Sequence, residues 1–517
     1  MEPYQRRCPG CGATAQVAYH DRRTVTTLDG LYALVLVVRL CRERACPLYR
    51  RPYRPEEEGG WALPHGEFGL DVIALVGALR YTEHRSVPEI HRSLAGRGLS
   101  IAERSVTNLL QRYEELVALR LADQTRLRAR LRQQEQVILA LDGLQPDVGH
   151  EVLWVLRDCL SGEVLLARSL LGATEDELVP LLREVQEALP VPISGVISDG
   201  QTSIRNAVRT ALPDVPHQLC QFHYLREAAK PIFEADRHAK VLLKKAVRGV
   251  RPIERALESR EDAEAAAIRG YCLAVRSALT DDGRPPLCAS GLRLHDRLSA
   301  IHASIGRVGR KGGLPKELGQ LDRLLGRGLA ATSDQWPALR TAYSWVHRAA
   351  HLLANPEDRP GAAVRAAYQT LLDTMTAQRD TLGPLAPAVD QFRKVTASYW
   401  PGLFHCYDVP DLPRTNNDLE HYFGSARYHE RRATGRKGAS PGLVVRGAVR
   451  VVAAVASRNQ TFVETDLRPA DLTRWRDLRR HLATRQDARC AQRRFRRDPD
   501  AYLASLEEAL SRARLPA

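Results

Sequence analysis

The sequence has no hydrophobic run of the length that a membrane-spanning helix requires. Residues 31–40 are apolar but few, and Arg39 interrupts them, whereas about 20 consecutive apolar residues are needed to cross a bilayer. The residues before Cys8 contain no apolar core of a secretory signal, so we expect no such signal. These absences predict a cytoplasmic protein without a membrane partner.

The sequence also lacks a disulfide framework. Four of its ten cysteines precede Pro47 and the others are scattered, which is typical of a metal site in a reducing compartment. Residues 24–40, rich in Val, Leu and Thr, predict two strands that turn at Asp29-Gly30. Two cysteine pairs on neighbouring turns can surround one zinc ion tetrahedrally. We therefore predict a zinc ribbon over residues 1–55, with a structural zinc ion held by Cys8, Cys11, Cys41 and Cys46. The wider spacing of the second pair leaves unpaired structural cysteines as the alternative.

The sequence also has fewer acidic residues than basic ones. The formal net charge is +15 and the isoelectric point is about 9.5. Such a charge favours a polyanionic partner, most simply nucleic acid. A generally arginine-rich composition is the alternative origin of the excess.

Residues 60–135 predict a helical DNA-binding module followed by a connecting helix. An apolar helix is expected over 70–80, and a second helix begins with Ser86 as its cap and Pro88 in its first turn. A glycine-containing turn then leads to a helix over 100–113, which is the pattern of a helix-turn-helix. That helix presents five polar side chains to a major groove: Glu103, Arg104, Thr107, Asn108 and Gln111. An ordinary helical hairpin is the alternative.

Residues 136–229 change to a strand-rich pattern. Strands are predicted at 137–142, 151–157, 163–168 and 193–199, with a helix at 175–189 before the last of them. Three antiparallel strands, a helix and a further strand are the order of the first part of an RNase H-like core, in which the first and fourth strands are neighbours. These two strands end in Asp142 and Asp199, so we expect the two carboxylates to lie close together.

A strand then enters a helix through Cys220-Gln-Phe-His223. The pair is either half of a metal site or part of the structural packing. No second pair stands at a suitable spacing, so we favour packing.

Residues 230–395 predict an all-helical block without a strand pattern. Glycine-containing basic loops, such as residues 307–313, are expected to interrupt its helices. Trp336 and Trp345 can stack on bases, although core packing is the commoner role of tryptophan in a helical bundle. The tail, residues 461–517, predicts an arginine-rich helix over 474–497 that either contacts a phosphate backbone or is a solvated surface.

The third acid of interest, Glu420, lies in a polar run at residues 414–424, at the start of a predicted helix. Alone, a glutamate with basic neighbours is usually part of a solvated helix face. With Asp142 and Asp199 it makes a set of three carboxylates, whose oxygens are the ligands that Mg²⁺ or Mn²⁺ prefers. Such a metal site activates a nucleophilic oxygen and stabilises the leaving oxygen in phosphodiester chemistry.

Four short motifs occur in this order: Leu141-Asp-Gly143, Ser198-Asp-Gly200, Cys220-x-x-His223 and Thr415-Asn-Asn-Asp-Leu-Glu420. Together with the zinc-ribbon and helix-turn-helix patterns, and with the basic tract that begins at Arg431, they resemble DDE-type transposases of insertion sequences and mutator-like elements. The resemblance covers residues 1–455.

The resemblance implies a multidomain α/β protein. Its RNase H-like core, residues 136–229 and 396–460, is interrupted by an all-α insertion, residues 230–395, and is preceded by the zinc ribbon and the helix-turn-helix domain. Asp142, Asp199 and Glu420 are then the catalytic residues and bind Mg²⁺ or Mn²⁺. DNA contacts are expected from four residues of the basic tract as well: Arg431, Arg432, Arg436 and Lys437.

The implied partners are double-stranded DNA, as transposon ends and as target, and further copies of the chain in a homodimer or larger assembly. The implied location is the nucleoid of a prokaryotic cytoplasm. The leading hypothesis is therefore a Mg²⁺-dependent transposase that cleaves DNA at terminal inverted repeats and transfers the strand.

Two alternatives remain open. One is a domesticated transposase that acts as a sequence-specific DNA-binding regulator, although the presence of all three acids argues against it. The other is an RNase H-like nuclease that cuts without strand transfer, over which the N-terminal modules favour transposition.

Overall fold

The computed structural model describes residues 1–145, 151–417, 424, 428, 431–432, 435, 441–469 and 471–513, without the side chains of residues 441 and 459. Within these residues the protein is mixed α/β and mostly helical, which agrees with the predicted α/β class. No helix among them combines the length and the apolar character needed to cross a bilayer.

The strands, in chain order, are β1 (Gln16–Thr27), β2 (Gly30–Leu40), β3 (Pro52–Tyr53), β4 (Val137–Leu144), β5 (Val152–Asp158), β6 (Val164–Leu170), β7 (Ile193–Ser198) and β8 (His217–Leu219). The helices of the first half are α1 (Glu58–Trp61), α2 (Leu70–Tyr81), α3 (Val87–Gly96), α4 (Glu103–Leu121), α5 (Gln124–Gln134), α6 (Glu175–Ala188), α7 (Thr202–Ala211), α8 (Gln221–Ala228), α9 (Lys230–Ala246) and α10 (Val250–Arg255). The remaining described helices are α11 (Ala263–Thr280), α12 (Ser290–Gly312), α13 (Lys316–Ala330), α14 (Trp336–Ala354), α15 (Gly361–Ala377), α16 (Ala386–Tyr399), α17 (Pro441–Asn459), α18 (Glu464–Leu467), α19 (Leu472–Arg497) and α20 (Pro499–Ala513).

Internal contacts divide the chain into two compact units. The first unit comprises Met1–Ile193, Asn206–Pro213 and Asn417–Ala517. The second unit comprises Ser194–Arg205 and Asp214–Asn416.

The first unit begins with an antiparallel hairpin. β1 pairs with β2 from Gln16 opposite Leu40 to Thr27 opposite Gly30, so the predicted hairpin is confirmed, with its turn at Leu28-Asp29, one position before the predicted Asp29-Gly30. Gly30 has a φ of +137°, which favours glycine over any residue with a Cβ. One face of the hairpin buries a small cluster, Val25, Leu34, Leu36 and Ala62, because alternate strand residues point to the same side.

The helical part of the first unit follows the local signals of its sequence. Ser86 caps α3: its hydroxyl accepts the Glu89 N–H at 3.4 Å, and the Glu89 carboxylate accepts the Ser86 N–H at 2.7 Å. The predicted cap at Ser86 is thus confirmed, and Glu89 completes it as a capping box. α4 continues well beyond its expected end at residue 113, since its last turns bury Leu116, Val117 and Leu121.

Strands β4, β5 and β6 of the first unit form an antiparallel meander. β4 runs two residues past Asp142, which lies opposite Val155 of β5. The first residue of β4, Val137, donates its N–H to the carbonyl of Pro192 at 3.0 Å, just before β7 begins.

The second unit contains a short parallel pair and a helical block. β7 pairs with β8, with Val196 opposite His217 and Ser198 opposite Leu219. Helices α8 to α16 share one hydrophobic core, to which Leu219 of β8 also belongs. Trp336 and Trp345 are buried in this core, which confirms packing as their role.

The loop expected at residues 307–313 is wrong, because α12 continues to Gly312. Glycine in a helix interior costs only about 1 kcal/mol relative to alanine. That cost is outweighed here because α12 buries Leu298 and Ile305, and a backbone bond from Gly313 N–H to the Gly309 carbonyl, 2.9 Å long, closes its end.

Candidate functional site

Four cysteines come together at the N-terminus of the first unit. The Sγ atoms of Cys8 and Cys46 are 3.6 Å apart, as are those of Cys11 and Cys41. All four Sγ atoms lie within 4.8 Å of one another. Because Zn–S bonds are about 2.3 Å long, a tetrahedral site requires S–S distances of about 3.8 Å, and this cluster fits one metal ion.

Burial and hydrogen bonding suit this cluster to structural metal binding. Cys8, Cys41 and Cys46 are buried. Hydrogen bonds from the backbone of Gly10, and also of Cys11, lower the pKa of Cys8 to about 7 and favour its thiolate. At Cys41 the backbone hydrogen bond from Glu43 is outweighed by burial and by the neighbouring thiols, which raise the pKa to about 12. Among the residues that the structure describes, no other group of three or more His, Cys, Asp or Glu side chains is close enough to hold an ion.

The polar side chains expected to read DNA lie along one side of α4. Glu103, Arg104, Thr107 and Asn108 are exposed, and Gln111 is half-buried. Positions spaced by three or four residues share one face of a helix, so these side chains form a continuous polar stripe. The turn before α4 is held by a bond of 2.9 Å between His91 Nε2 and the carbonyl oxygen of Ile101.

Behind this stripe, α4 carries two buried acids that no local sequence pattern indicated. Glu114 and Glu115 are each only 1% exposed. Arg446 of α17 donates to Glu114 at 2.9 Å, to Glu115 at 3.2 Å and to the carbonyl of Gln111 at 2.7 Å. Arg450 donates to Glu114 at 2.9 Å.

Three further side chains complete this buried network. Tyr81 donates its hydroxyl to Glu114 at 2.8 Å, Trp475 donates its indole N–H to Glu115 at 3.0 Å, and Arg112 pairs with Glu115 at 2.5 Å. Burial alone raises the pKa of Glu114, but Arg450 and Arg446 outweigh it and hold that pKa below its usual value. The helix that carries the polar stripe is thereby fixed to α17 by paired buried charges.

The basic tract is described only in part. Arg431 and Arg432 are helical and exposed. Arg436, Lys437 and the third acid, Glu420, lie outside the described residues.

Asp142 belongs to the first unit. It is half-buried within β4, and its Oδ1 accepts the N–H of Gly143 at 2.8 Å. Asp199 belongs to the second unit and follows β7 directly; its Oδ1 accepts the N–H of Gln201 at 3.0 Å, at the entrance to α7.

A hydrogen-bonded chain supports the backbone at Asp199. The hydroxyl of Ser198 donates to the Asp199 carbonyl at 2.8 Å. Nε2 of His217 lies 2.8 Å from the same hydroxyl oxygen, so it acts as the donor there. Burial, with the nearby charges of His405 and Arg205, lowers the pKa of His217 to about 4 and keeps it neutral.

Asp199 opens onto a cavity of about 730 Å³ within the second unit. Four cationic side chains line it: Arg205, Arg226, Lys230 and Arg237. Glu227 and Glu234 line it as well, as does His223, so the structure brings Asp199 and the histidine of the Cys-x-x-His motif to one cavity. The lining thus carries four cations and three carboxylates.

Tyr399 forms one wall of this cavity, a role that no local sequence signal predicted. A Cβ added to Gly200 would lie 1.9 Å from the Tyr399 hydroxyl oxygen, so only glycine permits this approach. The Tyr399 hydroxyl donates to Glu227 at 3.1 Å. The Arg205 guanidinium lies over the Tyr399 ring, 5.7 Å from its centroid, and donates to the Ser398 carbonyl at 2.6 Å.

Cys220 is fully buried at the start of α8 and is not part of a described metal cluster. Its N–H donates to the Ser198 carbonyl at 2.8 Å, and its Sγ accepts the N–H of Asn416 at 3.3 Å. Gln221 N–H donates to the Arg414 carbonyl at 3.0 Å. Cys220 therefore joins the end of β7 to residues 414–416, which directly precede the helical residue Asn417.

No protein-family model matches this chain, and no curated protein sequence is significantly similar to it.

Proposed function

We propose that this protein is a DNA transposase that binds transposon ends and catalyses metal-dependent DNA cleavage and strand transfer. The observation that carries the proposal is the cavity at Asp199. A carboxylate of a type that binds Mg²⁺ opens there onto a surface with four cationic side chains, and phosphodiester chemistry on DNA needs both features.

The cations are placed to bind a phosphate backbone. Arg226, Lys230 and Arg237 are exposed on α8 and α9, so their charges are accessible to a polyanion. Arg205 is held by Ser398 and by the Tyr399 ring, which fixes its orientation beside Asp199. Positioned cations next to a metal-binding carboxylate orient a phosphodiester and exclude competing water.

The proposed metal ligands are Asp142, Asp199 and Glu420. Bound Mg²⁺ or Mn²⁺ supplies activation of an attacking oxygen and stabilisation of the leaving oxygen. The chain's own contribution at Asp199 is positioning. The Ser198 hydroxyl, itself held by His217, donates to the Asp199 carbonyl, and the N–H of Gln201 donates to one carboxylate oxygen. Cys220 would likewise position the segment that leads towards Glu420, through its bond to Asn416.

The N-terminal modules supply DNA binding in this proposal. The four-cysteine cluster holds structural zinc as part of a zinc ribbon, and the polar stripe of α4 enters a major groove. Arg104 and Asn108 are the exposed members best suited to base edges, since arginine pairs with guanine and asparagine with adenine.

The test uses the DNA that flanks the coding sequence, as the source of candidate ends, with purified full-length protein in Mg²⁺ or in EDTA. We expect Mg²⁺-dependent cleavage and joined products from the native chain. Asp199→Asn and Glu420→Gln should each lower the cleavage rate by roughly 10³-fold or more, several kcal/mol in the barrier, while DNA binding is retained.

The matched control is Asp334→Asn, which removes an exposed carboxylate of the same unit that does not line the cavity and should leave the rate unchanged. Cleavage without joining would identify a nuclease instead. Sequence-specific binding with no metal-dependent cleavage in any variant would identify a regulator.

A further inference from the structure

A second cavity of about 650 Å³ lies in the helical block of the second unit, apart from the Asp199 cavity. Its walls come from α12, from α14 and from the segment Leu287 to Ala289 that precedes α12. Leu287, Ala289, Leu292 and Ala300 make much of this wall apolar. Nothing in the proposed DNA chemistry uses this cavity.

A buried hydroxyl lines the cavity. Tyr343 is only 3% exposed, and its hydroxyl oxygen has no hydrogen-bond partner among the described residues. Leaving a buried hydroxyl unpaired costs roughly 1–3 kcal/mol, so a group that satisfies it gains in affinity. Burial raises the pKa of Tyr343, with Asp236 and Cys288 adding to the effect, so the hydroxyl stays protonated and can donate.

The mouth of the cavity is cationic. Arg293 pairs with Asp281 at 3.1 Å, Arg297 pairs with the same carboxylate, and Arg340 pairs with Asp296 at 2.6 Å. Three guanidinium groups thus share two carboxylates, which leaves one net positive charge. Arg297 and Arg340 have about half of their side chains exposed and so can turn to meet a ligand.

We propose that this cavity binds a small amphipathic anion, with its apolar body between α12 and α14, a hydrogen-bond acceptor at Tyr343 and its anionic group at the arginine mouth. The apolar wall, the buried hydroxyl and the arginines at the mouth together define the chemical class of the ligand. An apolar molecule without charge would leave the arginines unused, and a bare inorganic anion would not fill the apolar wall. The proposal does not depend on the transposase activity.

The test is titration of the full-length protein with dansylglycine, a fluorescent molecule with an apolar naphthalene ring, acceptor groups and one carboxylate. Dansylamide, which lacks the carboxylate, is the matched probe. We expect saturable binding of one dansylglycine per chain, weaker binding of dansylamide, and loss of that difference in Arg297→Gln/Arg340→Gln. Equal affinity for the two probes in the native protein would overturn the assignment of the mouth.

Two variants test the interior. Tyr343→Phe keeps the shape but removes the hydroxyl, and should weaken dansylglycine binding about fivefold, the equivalent of one hydrogen bond of about 1 kcal/mol. Ser344→Trp places a bulky side chain at an exposed position of the lining and should abolish binding without disturbing the core. The control is Tyr271→Phe, whose hydroxyl pairs with Ser304 elsewhere in the same unit.

Cys288 supplies an independent measurement, because its thiol lines the cavity. Dansylglycine should slow the alkylation of Cys288 by iodoacetamide and leave the alkylation of Cys490 unchanged. Peptide mass mapping measures both. Binding that survives Ser344→Trp, or probe saturation without protection of Cys288, would place the probe elsewhere and refute the proposal.

Discussion

Replacement of Arg446 by methionine should strongly destabilise the packing of α4 against α17. Arg446 donates to both buried acids, Glu114 and Glu115, and to the Gln111 carbonyl. Methionine fills a similar volume but donates no hydrogen bond. The change therefore removes bonds to two carboxylates that remain buried.

The size of this destabilisation depends on which partners Glu114 and Glu115 keep when Arg446 is replaced. Removing one partner of a buried ion pair costs about 3–5 kcal/mol, because the other charge stays desolvated. Glu114 keeps Arg450 and Tyr81 as partners, and Glu115 keeps Trp475 and Arg112. Both acids thus stay partly compensated, so we expect the lower end, about 3 kcal/mol.

Hydrogen–deuterium exchange on the full-length chain measures this loss locally, which matters because the chain has two units. A loss of about 3 kcal/mol corresponds to roughly 100-fold faster exchange for amides protected by the α4–α17 packing. The control is Arg480→Met, which breaks an exposed pair with Asp477 and should change little. If Arg446→Met exchanges no faster in α4 than Arg480→Met, the buried charges do not hold these helices together.

Three more outcomes are expected. Elemental analysis should find one zinc ion per chain. Cys41→Ser or a strong chelator should remove this ion and make residues 1–55 sensitive to trypsin, whereas the control Cys490→Ser should retain it. Gly200→Ala should destabilise the second unit by about 1–3 kcal/mol, because its Cβ would overlap Tyr399; a melting temperature equal to the native value would contradict this close approach. The pKa of His217 is about 4 in the folded state and 6.5 in the unfolded chain, so the unfolded state takes up the proton first as the pH falls. The free energy of unfolding should therefore fall by roughly 2–3 kcal/mol between pH 6.5 and pH 4. In urea unfolding, His217→Gln should flatten this dependence on pH.

Local chemistry was enough to predict many elements of this fold. The helix cap at Ser86 and the hairpin of β1 and β2 are encoded within a few residues, and the structure has both. The four-cysteine cluster was predictable because thiol pairs at short spacing have few other uses in a reducing compartment. The loop predicted at residues 307–313 was wrong because glycine and basic residues are also tolerated in a long helix that packs well.

What the sequence could not reveal depends on distant partners. Glu114 and Glu115 look like a solvated helix face, since their partner Arg446 stands more than 330 positions later. Tyr399 gives no local signal for its place beside Gly200, because only the folded second unit brings them together. The metal site of Asp142, Asp199 and Glu420 remains a prediction of the motif pattern.

The wall of the Asp199 cavity also bears on the order of events during synthesis. Arg205 bonds to Ser398 across 193 positions, and Cys220 bonds to Asn416 across 196. At translation rates of about 5–20 residues per second, roughly 10–40 s separate the emergence of Asp199 from that of Tyr399. A nascent or truncated chain that ends before residue 398 therefore has Asp199 and the cations of α8 and α9 but lacks the cavity wall that Ser398 and Tyr399 supply.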